Sequence, residues 1–121
     1  MRDIFINFSN HRSDFWCEKQ IDAAEKYGMI IDIPFPAVDS CCTEQEIEKA
    51  GEKYYNEIMH FDPAAVLCQG EFTLAVNVIT RLKKRGVKVV AACSERNVSE
   101  IGGSKESMFD FVQFREYVLA C

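Results

Sequence analysis

Side chains able to do chemistry gather first at Ser9, Asn10, His11 and Arg12, just past a short apolar run that ends in Asn7 and Phe8. An imidazole changes charge near neutral pH, so His11 can serve as a general base or as a donor to phosphate. A surface loop histidine with no chemistry fits the same position. A second cluster is Gln69, Gly70, Glu71, Phe72 and Thr73. Here Gly70 allows close approach of a ligand to the backbone, and Thr73 can cap a helix whose amides face an anion. Any strand-to-helix turn also favours Gly and Thr. Glu71 has two roles open to it: a carboxylate that stabilises a helix N-terminus, or a group that holds a ribose hydroxyl or activates water. The third cluster is Ser94, Glu95, Arg96 and Asn97. Arg96 and Arg12 suit phosphate, because guanidinium forks bind its oxygens in pairs. The plainer alternative for each is an exposed ion pair with Glu95 or Asp14, which is worth little.

Several common chemistries find no support. There is no GxGxxG after the first apolar run and no GxxxxGK[ST] anywhere, which argues against an ordinary dinucleotide fold or a nucleotide triphosphatase. A GxSxG nucleophile elbow is absent too. The six cysteines form no CxxC pair and no Cys/His spacing typical of zinc, so reduced thiols and no metal or cofactor are expected. Net charge is −5, with acidic residues concentrated from Glu44 to Glu57 and a basic cluster at Arg81, Lys83, Lys84 and Arg85. Binding to duplex nucleic acid needs many phosphate contacts and is disfavoured, whereas a small anion held at one site is not. The first residues are too short and too charged an apolar stretch for a signal sequence or membrane span, so a cytoplasmic protein without membrane contact is expected.

The elements that must position these clusters follow from pattern. At 121 residues and 48% hydrophobic, the chain is expected to form a single domain over 1–121. Residues 4–8 read as a strand and 15–27 as a helix capped by Ser13 or Asp14 and stopped by Gly28, with Trp16 in the core. Residues 29–33 form the next strand, closed by the extended Pro34, Phe35 and Pro36. Thr43 and Glu46 match a capping box that opens a helix running to about His60. Ala64 to Cys68 is an apolar run expected of a central strand buried on both faces. A helical stripe through Leu74, Val78, Ile79 and Leu82 closes on basic residues and Gly86. A fourth strand over 87–93 leads to a loop at Ser94–Asn97. Gly102 and Gly103 then make a two-residue hairpin turn, with a return strand over 109–117. The sum is α/β: a three-layer Rossmann-like sheet, βαβαβαβ, with a C-terminal β-hairpin extension.

In such a sheet ligands lie beyond the carboxyl ends of the strands. That end receives Asn7, Ser9, Asn10 and Arg12, then Gln69, Gly70 and Thr73, then Ser94 and Asn97, as binding residues around His11, Glu71 and Arg96. The opposite ends carry only Gly28, Asp62 with Pro63, and Gly86. His60, at a helix end, fits a dipole contact better than a ligand contact. The aromatics Phe109, Phe111, Phe114 and Tyr117 suit a base-stacking platform, the cover of a sheet face, or a dimer seam.

In size, strand layout with a terminal hairpin and polar strand-end loops, the chain resembles the small stand-alone CRISPR-associated Rossmann-fold proteins. These are relatives of the CARF domains that bind cyclic oligoadenylate and in some cases cleave it as ring nucleases. Such domains often carry a Thr-rich turn with a nearby Lys or Arg before a helix. This sequence has Gly70 and Thr73 but the acidic Glu71, which leaves the positive charge to Arg96 or Arg12. The resemblance implies a homodimer that binds a ring of 3′-5′-linked adenylates across its two-fold axis. Ser9 and Asn10 would sit on phosphate or ribose, Gly70 and Thr73 on phosphate, and His11 or Arg96 near the scissile bond. Cleavage of that kind needs positioning and positive charge but no metal. Two other functions stay open. One is a non-catalytic nucleotide sensor or interaction module. The other is a nucleoside deoxyribosyltransferase-like enzyme with Glu71 as nucleophile.

Overall fold

The computed structural model describes residues 3–120, apart from the side chains of residues 97–101 and 104–108. Its core is a five-stranded sheet in the order β2-β1-β3-β4-β5, formed by β1 (Ile4–Phe8), β2 (Met29–Asp32), β3 (Ala65–Cys68), β4 (Lys88–Ile101) and β5 (Ser104–Glu116). The first four strands are parallel and β5 runs antiparallel to β4. The chain moves from β1 out to β2 and returns on the other side of β1 as β3. The loops after β1 and β3 therefore diverge to opposite faces and leave a crevice between them.

Alternation along the strands divides the core into two layers, since successive side chains point to opposite faces. Ile6, Phe8, Val66, Cys68 and Val89 are buried beneath α2 (Glu44–Met59) and α3 (Phe72–Lys84). Phe5, Ala65, Leu67 and Val90 face α1 (Glu18–Glu25). Each fully buried large apolar side chain contributes about 1.5–3 kcal/mol. The Rossmann-like three-layer arrangement expected from the sequence is thus present, with β3 at its centre. No helix among the described residues is long and apolar enough to cross a membrane.

Local chemistry sets the element ends. At α2 the capping box forms as expected, the Thr43 hydroxyl accepting from the Glu46 amide while the Glu46 carboxylate accepts from the Thr43 amide. Gly86, at φ 83°, ends α3. Gly28 has a different role from the helix stop expected of it: a Cβ there would lie 2.3 Å from the Asp3 carbonyl, so the residue is small because β1 passes against it.

Two expectations are corrected. Residues 15–27 do not form one helix. Ser13–Phe15 make a single 3-10 turn, Trp16 is extended, and α1 starts only at Glu18. The cause is Asp32, whose carboxylate accepts from the Ser13 amide and hydroxyl at 3.1 and 3.0 Å and holds that turn at the end of β2. Nor do Ser94 to Asn97 form a loop. β4 continues through them and pairs with β5 as far as Ile101 opposite Ser104, around the Gly102 and Gly103 turn expected from the sequence. The β3 pairing stops at Val90, so the hairpin runs on for roughly 35 Å beyond it at the usual strand rise.

Candidate functional site

A cavity of about 550 Å³ lies where β1, β3 and β4 end, on the α1 face of the sheet and against the root of the hairpin. Its polar lining comes from Ser9 and His11 after β1, Gln69 after β3 and Ser94 on β4. Phe15 and Trp16 from the loop before α1, and Phe109 and Phe111 from β5, supply aromatic walls. Leu67 and Ala92 form an apolar floor, and Cys17 and Gln20 stand at the start of α1.

The loop after β1 is fixed from below. Asn7 is buried, and its carboxamide nitrogen donates to the His11 carbonyl at 2.9 Å and to the Asp32 carboxylate at 3.0 Å. Its carbonyl oxygen accepts from the Ser9 hydroxyl at 2.6 Å, and the Ser9 oxygen accepts from the His11 amide. The Trp16 indole also donates to the His11 carbonyl. One backbone carbonyl is thus held by side chains from two different segments, Asn7 and Ser9 on one side and Trp16 on the other, which brings His11 and Trp16 to the same cavity. Asn7, expected to bind ligand, instead positions this loop, because its polar atoms are already paired inside the protein.

Gln69 acts at the other side. Its carbonyl oxygen accepts from the Ala92 amide at 2.8 Å, extending the β3–β4 ladder by one side-chain bond beyond its last backbone pair. The carboxamide nitrogen is then the donor it can offer to a ligand. A register shift between Cys93 and Ser94 sets them opposite Gln113 and Phe111 and leaves Val112 as the extra residue of a bulge. That bulge turns Phe111 and Phe114, three residues apart, to the same face. Phe114 packs on Phe5 and Trp16, Phe111 packs on Phe114, and Phe109 remains 72% exposed at the rim. The aromatic run therefore covers a sheet face and walls the cavity at once. Tyr117 leaves this group, and its hydroxyl donates to the Cys68 carbonyl at 2.8 Å.

The sequence clusters are only partly brought together. Ser9, His11, Gln69 and Ser94 share the cavity. Asn10 and Arg12 are exposed outside its lining, and Arg12 pairs with Asp14 at 2.6 Å with its guanidinium over the Phe15 ring. Arg96 lies opposite Phe109 on the hairpin, two pairs beyond Ser94, and is engaged in contacts of its own. The Asn97 side chain is outside the described residues.

The turn from Gln69 to Thr73 departs most from expectation. Glu71, not Thr73, caps α3: its carboxylate accepts from the amides of Thr73 and Leu74 at 2.9 and 3.0 Å and from the Thr73 hydroxyl. The Thr73 hydroxyl and amide bonds, with that of Leu74, hold its carboxyl below the usual value. An anion already built into the chain occupies the helix N-terminus. Glu71 and Thr73 both lie outside the cavity lining, so neither the nucleophile role nor the phosphate role expected of them is met there. Gly70 is corrected as well. The close approach it permits is made by the Phe35 ring, which a Cβ would meet at 2.5 Å.

Asp32, Phe15, Trp16, Cys17 and Gln20 were not recognised as site residues in the sequence. Asp32 had one signal, a carboxylate in an apolar strand directly before Ile33. Cys17 is exposed at the cavity, whereas burial pushes the Cys68 thiol up to about 12 and keeps it neutral on the opposite face.

The comparison with known proteins is decided by one match, over residues 3–115. The chain belongs to the uncharacterized protein MJ1673 family. No curated protein and no solved structure matches this MJ1673-family chain.

Proposed function

We propose that the cavity binds the base and ribose of a nucleotide in the cytoplasm, cyclic oligoadenylate being the ligand that the sequence resemblance implies. The observation that carries this proposal is the lining: aromatic rings beside neutral hydrogen-bonding groups, at the strand ends where doubly wound sheets take ligands. A planar base stacks on Trp16, Phe15 or Phe109, and Gln69, Ser9 and Ser94 meet its polar edge or the ribose. The start of α1 also favours an adjoining phosphate. Unlike α2 and α3, it begins without a side-chain cap, and its Cys17 and Gln20 line the cavity. Arg96 stands two residue pairs beyond Ser94, opposite Phe109.

If the ring is cleaved, a ribose 2′-oxygen attacks the adjacent phosphorus and the bond from phosphorus to the 5′-oxygen breaks. His11 takes the 2′-hydroxyl proton and water protonates the departing 5′-oxygen, leaving a linear product with a 2′,3′-cyclic phosphate. Of His11, Arg96 and Glu71, only His11 lines the cavity, which favours a sensor that binds without turnover as the second reading.

Incubation with cyclic tetra- and hexa-adenylate, with products resolved by chromatography and binding measured by calorimetry, tests both. Turnover lost in His11→Ala supports the ring nuclease, and saturable binding with intact ring supports the sensor. Absence of binding to either ring and to adenosine nucleotides overturns the nucleotide assignment.

A further inference from the structure

The two edges of the sheet are unequal. β2 has four residues, and its last, Asp32, is tied to Asn7 and Ser13. β5 has 13 residues, contains no proline and is paired on one side only. A long edge without proline is a template for another strand.

The register fixes which backbone groups it offers. Ile101 and Ser104 close the two-residue turn, so they form a hydrogen-bonded pair and the pairs beyond alternate. Glu95 with Asp110 is then hydrogen-bonded, while Arg96 with Phe109, Ser94 with Phe111 and, past the bulge, Ala92 with Phe114 are not. Two bonds at the root agree: the Ala92 amide turns away from β5 to Gln69, and the Tyr117 amide donates to the Val89 carbonyl. The backbone N–H and C=O groups of Phe109, Phe111 and Phe114 therefore point out of the sheet edge.

We propose that β5 pairs antiparallel with β5 of a second copy, about a two-fold axis between Val112 and Gln113, to make one ten-stranded sheet. Phe111 then forms a hydrogen-bonded pair with Phe114 of the second copy, matching outward groups with outward groups. In the same register Asp110, which also keeps a contact within its own chain, lies opposite Arg115 of the second copy, and Arg115 opposite its Asp110. These are close, non-hydrogen-bonded pairs of opposite charge on the face away from the aromatic rings. A shift of two residues either way sets Asp110 against Gln113 or Tyr117 and loses both pairs. This self-complementarity selects a second copy of the chain as the occupant.

The axis is perpendicular to the sheet, so both cavities open on the same face, with Phe109 and Phe111 of each copy beside the dyad. That arrangement suits a two-fold symmetric ring and, to this extent only, rests on the nucleotide proposal. The dimer itself is independent of any ligand.

Light scattering after gel filtration, with no ligand present and at tens of micromolar chain, tests it. The wild type is expected at twice 13.8 kDa. Asp110→Arg and Arg115→Asp are each expected to weaken association about tenfold or more, and the double variant to recover it. Phe109→Pro, which removes an outward amide outside the β4–β5 ladder, is expected to give a monomer with an unchanged circular dichroism spectrum. A monomeric wild type, a dimer that no variant weakens, or a double variant without recovery overturns the proposal.

Discussion

Glu71 shows how a residue's neighbours choose among its possible roles. A carboxylate two residues before a threonine at the start of a helix reaches the free amides of Thr73 and Leu74, and accepts the Thr73 hydroxyl as well. These bonds lower its pKa from the ordinary 4.5, with the small burial cost opposing them. Because the folded value lies below the unfolded one, the cap's stabilisation is present above about pH 4.5 and is lost as pH falls through the depressed value. Glu71→Ala is expected to cost about 1 kcal/mol near neutral pH, measured by urea unfolding. The difference from wild type should shrink progressively in acid, and a difference independent of pH would contradict the cap. Nucleotide binding should survive the substitution. Asn7 makes the converse point. A polar residue in an apolar strand looked like a ligand contact, but its partners are His11, Ser9 and Asp32 within the protein.

At the scale of elements, the parts legible in the sequence were those fixed by local chemistry. The capping box of α2, the apolar run of β3 and the glycine pair at the hairpin tip all depend on residues within a few positions of one another. The β4 extension was not legible, because Ser94, Glu95 and Arg96 carry no strand signal of their own and are held extended by partners 13 to 17 residues later in the chain. The bulge at Val112 was equally hidden, since a period-two pattern has no way to mark an inserted residue. The hairpin depends on its turn, where Gly102 and Gly103 have φ of 59° and 83°. An L-residue pays roughly 1–2 kcal/mol for that conformation. Gly103→Ala should therefore speed amide hydrogen exchange along the distal arm and leave β1 and β3 protected. Uniform exchange throughout would mean that the arm and the core open as one unit.

For the whole molecule, the sheet order made the general location of the cavity readable from sequence: beyond the strand ends after β1, β3 and β4. The particular walls were not, because Trp16 and Phe15 arrive through the Asp32 contact and Phe109 and Phe111 through the bulged hairpin. The turn from Gln69 to Thr73 contributes one residue to the cavity, Gln69, while the rest of it caps α3 and packs on Phe35. For the proposed binding of a nucleotide in this cavity the chain carries its own reporter, because Trp16 is the only tryptophan and lines the cavity. Titration with cyclic tetra- and hexa-adenylate, followed by Trp16 fluorescence, is expected to give saturable quenching that Gln69→Ala weakens about tenfold or more. Emission that stays unchanged up to millimolar ligand, with the protein folded, would contradict it.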